Sequence, residues 1–80
     1  MNEKVHIGKL IQQKMEEEGR KVSWLANKIG CDESNIYRIY GQQFPATERV
    51  IRICIALNFN FFSHYSEYVL QQIQDKNNKN

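Results

Sequence analysis

The stretch Val22 to Ile39, VSWLANKIGCDESNIYRI, leaves this chain few folds to choose from. Val22, Leu25 and Ile29 recur at helical spacing with the small Ala26 among them, so one face of a short helix is apolar. Ile36, Ile39 and Tyr40 repeat the pattern on a second short segment. Between the two, Gly30 is free to adopt the left-handed conformation that ends a helix, and Asp32 is placed to cap the next one through its carboxylate. Ala26 falls where the two axes would cross, and a larger side chain there would push them apart. The expectation is two short helices held at a fixed angle by a glycine turn.

The flanking sequence reads as further helices. A first helix is expected from about His6 to Glu18, with Ile7, Leu10, Ile11 and Met15 on one stripe, Lys9, Gln12, Gln13, Glu16 and Glu17 facing water, and Gly19 as its stop. After the third helix, Glu33 to Tyr40, the loop GQQFPAT is held extended by Pro45, with Phe44 tucked into the core. Thr47 is the expected cap of a fourth helix, Glu48 to Leu57, apolar on nearly every side and therefore central. Asn58 can take a left-handed stop, and Asn60 can cap a fifth helix rich in Phe and Tyr that runs to Ile73. Trp24 is expected to cover the edge of the core against that fifth helix. The polar tail 74–80 reads as disordered, which gives one domain over 1–73.

Strand-like alternation is absent, and 80 residues leave no room for a second core, so the fold class is all-α and single-domain. A formal charge of +2 gives only a weak general attraction to nucleic acid. Cys31 and Cys54 sit inside apolar patterns rather than in a short-spaced pair, as small core residues of a reducing compartment do. His6 and His64 have no partner at metal-binding spacing, so no metal or other cofactor is expected. The N-terminus lacks an apolar signal region and no run is long enough to span a bilayer, which points to a cytoplasmic protein without a membrane partner. Gly8, Gly19, Gly30 and Gly41 are spaced as helix punctuation rather than as a phosphate-binding loop. Without clustered His, Cys or carboxylate groups, neither an enzyme nor a small-molecule site is expected.

Counted from Val22, the small Ala26 is fifth, Gly30 ninth, and Ile36 and Ile39 fifteenth and eighteenth. With IGKLIQQKMEEEG before it and ERVIRICIALNF after it, this pattern resembles the phage-repressor-like (Cro-like, XRE-type) helix-turn-helix family over roughly Ile7 to Tyr65. The resemblance implies a five-helix, lambda-repressor-like bundle that binds double-stranded DNA with its third helix in the major groove. Burial of Ile36 and Ile39 leaves Ser34, Tyr37 and Arg38 at the centre of the outward face of that helix, flanked by Glu33 and Asn35. These five are the candidate base readers: Arg38 for a guanine edge, Asn35 for adenine, Glu33 for a cytosine amino group, Tyr37 for a thymine methyl. Family members usually begin the second helix with a hydroxyl cap and a phosphate-binding Gln, where this chain has Lys21 and Val22. Lys21 and Ser23 are the substitutes, and Lys28, Gln42 and Gln43 complete the candidate backbone contacts.

A monomer of such low charge would gain from doubling its phosphate contacts, so a homodimer is expected; Phe61, Phe62, Tyr65 and Tyr68 of the aromatic fifth helix are either its partner contacts or the rings that close the open end of the core. A competing reading keeps the fold without DNA and uses the fifth helix to bind another protein. The acidic Asp32–Glu33 opening and the absent Gln at position 22 motivate it.

Overall fold

The computed structural model describes residues 4–78. Five helices follow in order: α1 (Ile7–Glu17), α2 (Val22–Ile29), α3 (Glu33–Tyr40), α4 (Thr47–Leu57) and α5 (Phe62–Asn77). There is no strand among the described residues. α2 packs against both α3 and α4, and α1 packs against α3.

Helix ends follow local chemistry. Gly19, Gly30 and Asn58 hold φ of 65°, 73° and 51°, and each lets the next amide turn back onto the helix it terminates. Thus Arg20 N–H donates to the Met15 carbonyl at 2.9 Å, Cys31 to Ala26 at 2.9 Å and Phe59 to Cys54 at 3.1 Å. Helix starts depart from expectation. Asp32 occupies the cap position of α3 with extended backbone, but its side chain makes no capping hydrogen bond. Ala46, not Thr47, precedes α4, because Thr47 is already in its first turn. Asn60 does act at the start of α5, its Oδ1 accepting from Phe62 N–H at 3.0 Å.

The N-terminus of α1 is capped by another part of the chain. Ile7 N–H donates to the Gln43 carbonyl at 2.9 Å and Gly8 N–H to the Gln42 carbonyl at 3.0 Å, while His6 Nδ1 accepts from Lys9 N–H at 3.1 Å. Three amides without intrahelical partners are therefore satisfied, two of them by the loop that leaves α3. Gly8 is not punctuation. It lies buried inside α1, against backbone carbonyls of Ile39, Tyr40 and Gln42, where no side chain fits.

The core gathers Ile7, Ile11 and Met15 of α1, Leu25, Ala26 and Ile29 of α2, Ile36, Ile39 and Tyr40 of α3, Val50, Ile53 and Leu57 of α4, and Phe61. Each large aliphatic side chain fully withdrawn from water contributes about 1.5–3 kcal/mol. α4 is not buried all round: Val50, Ile53 and Leu57 face inward, whereas Ile51 and Ile55 face solvent. Both cysteines are free thiols packed at the core margin.

α5 stands apart. None of its residues is fully buried, and after Tyr68 only Asp75 is even half-buried. The Cα radius of gyration is 14.2 Å, against about 12 Å for a compact chain of this length. The molecule measures 49 × 22 × 20 Å, in keeping with a sixteen-residue helix that leaves the core. α5 continues to Asn77, so positions 74–77 are helical rather than a disordered tail, and Lys79 and Asn80 lie outside the described residues.

Candidate nucleic-acid interface

On α3 the buried side is set by Ile36, Ile39 and Tyr40, so the opposite side is free by helical geometry. Ser34, Tyr37 and Arg38 are exposed there, Tyr37 by 62%, with Glu33 exposed and Asn35 half-buried beside them. Arg38 Nη1 donates to Asn35 Oδ1 at 3.3 Å, which orients both polar groups on one surface. The Tyr37 ring meets Tyr40 edge-on with centroids 6.1 Å apart, fixing its direction. Tyr40 ties this surface to the core. Burial raises its hydroxyl pKa above the usual 10.0, with smaller contributions from Tyr37 and the Glu16 carboxylate.

The candidate backbone contacts separate. Lys21 and Ser23 are exposed at the start of α2, and Lys21 forms no side-chain cap. Gln42 is exposed. Gln43 is not free: its Nε2 donates to the Val5 carbonyl at 2.9 Å, so the amide fastens the segment before α1 to the loop after α3. Lys28 sits on the α4 side of α2, bordering a cleft with Trp24, Arg52, Ile55 and Ala56, and its Nζ lies 5.8 Å from the Trp24 ring centroid. Trp24 therefore faces α4 rather than α5, and the Arg20 guanidinium stacks on it at 4.2 Å.

The candidate partner contacts also divide. Phe61 is only 1% exposed and belongs to the core, so it presents no surface to a second molecule. Phe62, Tyr65 and Tyr68 are half-buried. Tyr65 stacks on Phe62 at 5.1 Å and on Phe44 at 6.1 Å, and Phe44 meets Tyr68 at 5.8 Å. Phe44 itself is half exposed rather than tucked into the core, so these rings rivet α5 to the 41–46 loop. Burial raises the Tyr65 pKa, with a smaller push from Cys54. The free apolar surface of α5 is instead Val69, Leu70 and Ile73, whose i, i+1 and i+4 positions form one stripe.

Charge is unevenly placed. Arg20, Lys21 and Lys28 lie before or on α2 and Arg49 and Arg52 on α4, whereas α3 carries Arg38 alone beside Glu33. Among the described residues no group of three or more His, Cys, Asp or Glu side chains gathers as a metal site, and no helix is long and apolar enough to cross a membrane. Together these features define a small all-helical protein with a short, polar, outward-facing third helix. Set against known protein families, curated proteins and solved structures, the chain matches none.

Proposed function

We propose that this protein is a helix-turn-helix, lambda-repressor-like regulator that binds double-stranded DNA sequence-specifically as a homodimer, with α3 in the major groove. The observation that carries the reading is the left-handed Gly30 junction between α2 and α3, combined with the outward display of Ser34, Tyr37 and Arg38. The rigid angle comes from Ala26 at the packed side, and an eight-residue α3 offers about 12 Å of edge to the bases. Arg38, Asn35, Ser34, Tyr37 and Glu33 read, and Lys21, Ser23 and Gln42 position the molecule on phosphates. A second copy would bring the next half-site within reach about 34 Å along the duplex.

The test is a salt titration of binding to mixed-sequence duplex, followed by selection of bound sequences from random duplexes. The expected result is binding at low salt that weakens steeply as salt rises, an enriched two-fold symmetric site, and loss of that preference in Arg38→Ala. Undetectable binding at low salt, or an unchanged profile in Arg38→Ala, rejects the reading.

One observation favours a second reading, a protein-interaction module that leaves α3 idle: Val69, Leu70 and Ile73 lie open along an α5 that leaves the core. Sedimentation at micromolar concentration with and without Leu70→Glu separates the two uses of that helix. Dimers abolished by the substitution together with loss of DNA affinity support the first reading, and a monomer indifferent to it removes α5 from the mechanism.

A further inference from the structure

The cleft between α2 and α4 has a chemistry that the DNA reading does not use. It is an open depression of about 370 Å³ lined by Trp24, Lys28, Arg52, Ile55 and Ala56. Ile55 is the most exposed large apolar side chain described, at 76%, and it also borders a neighbouring depression of about 450 Å³ with Cys54, Asn58, Phe59 and Asn60. Ile51 adds a second open apolar group one turn earlier on α4. Three cations rim this apolar ground: Arg20 and Lys28 over the Trp24 ring, and Arg52 on α4. Opposing charge is scarce, since α2 has no acidic residue and the single acid of α4 is Glu48, which pairs with Arg52 at 3.4 Å in an exposed contact that a docking carboxylate would have to replace.

We propose that the α2–α4 cleft docks an acidic segment of another protein, with an apolar side chain seated between Trp24 and Ile55 and carboxylates on Arg20, Lys28 and Arg52. Charge complementarity selects the occupant. A cationic rim repels basic segments and steers acidic ones, while the apolar floor gains from an aliphatic or aromatic anchor and nothing from a bare phosphate. Two depressions divided by Ile55 suit consecutive anchors on one face of a helix. The surface is independent of Arg38, so its failure and that of DNA binding are distinguishable.

Trp24 is the single tryptophan of the chain, and its fluorescence reports on the cleft directly. The probe is a short synthetic helical peptide with a leucine face flanked by glutamates. It is compared with the same peptide carrying serines for leucines, with one carrying lysines for glutamates, and with mixed-sequence duplex DNA. The expected result is a saturable change in Trp24 emission and in the Ile55 methyl signal with the acidic leucine peptide alone. Ile55→Glu and Arg52→Glu, both at exposed positions that circular dichroism will show still folded, should each weaken it by about tenfold, and Arg38→Ala should leave it unchanged. Equal binding of the serine or lysine peptide, no response to any peptide, or a response of Trp24 and Ile55 to duplex DNA alone would each overturn the proposal.

Discussion

Gly8 lies against Ile39 so closely that a methyl group on it would overlap the Ile39 carbonyl oxygen. The start of α1 is thereby seated on the end of α3, and the amides of Ile7 and Gly8 are bonded to the loop that follows. The helix proposed to read DNA is clamped at its C-terminal end by this seat and at its N-terminal end by the Gly30 turn.

Gly8→Ala is expected to destabilise the protein by about 2 kcal/mol. Alanine gains about 1 kcal/mol of helix propensity, but the atoms it meets are three backbone carbonyls that yield only if α3 shifts, an overpacking cost of about 3 kcal/mol. A urea midpoint for the variant at or above that of the parent protein would show that α1 and α3 are not seated this closely.

Gln42 and Gln43 should respond oppositely to truncation. Gln43→Ala removes the amide bonded to the Val5 carbonyl and should cost about 1 kcal/mol of stability. Gln42→Ala should change stability by less than about 0.5 kcal/mol, because its side chain is exposed and only its backbone is engaged. The measurement is a pair of chemical denaturation curves, and equal losses would contradict the assignment.

At the α2–α3 junction two substitutions act through different physics. Ala26→Leu puts extra volume at a buried position of α2, which packs on both α3 and α4, and should cost about 1–3 kcal/mol while broadening amide NMR signals in α2 and its neighbours. Gly30→Ala meets no neighbouring atom, so its cost is the left-handed backbone alone, about 1–2 kcal/mol, with the spectrum otherwise preserved. A Gly30→Ala spectrum disturbed throughout the core would mean that packing, not φ, governs the turn.

Tyr40 sets an alkaline limit. Its pKa is raised in the fold by burial first and by Tyr37 and Glu16 after, so the native state holds its proton more tightly than the unfolded chain does. Stability from this group is fully present below the ordinary tyrosine pKa of 10.0 and is lost as pH rises through the higher folded value. Urea midpoints should be level toward pH 9 and fall above 10.0, and Tyr40→Phe should reduce that fall, leaving the part that the likewise raised Tyr65 contributes. A slope unchanged by the substitution would place the alkaline sensitivity elsewhere.

Residue order alone specified that five helices form and where α1, α2 and α4 stop, because Gly19, Gly30 and Asn58 act through backbone freedom, and the core faces of α1, α2 and α3 follow from helical spacing; the end of α5, four residues past Ile73, did not follow from it. The outward side of α3 was legible for the same reason: once Ile36 and Ile39 are inside, the rest is trigonometry. What a side chain does after reaching the surface was not legible. Gln43 and Gln42 look alike in sequence, yet one is bonded to Val5 and the other is free, since the choice depends on a segment thirty-eight residues away. Phe61 in the core, Phe44 on the rim and Trp24 against α4 were likewise decided only when the helices met. Tertiary packing has to place every apolar ring somewhere, and a local pattern cannot say which neighbour will arrive to cover it.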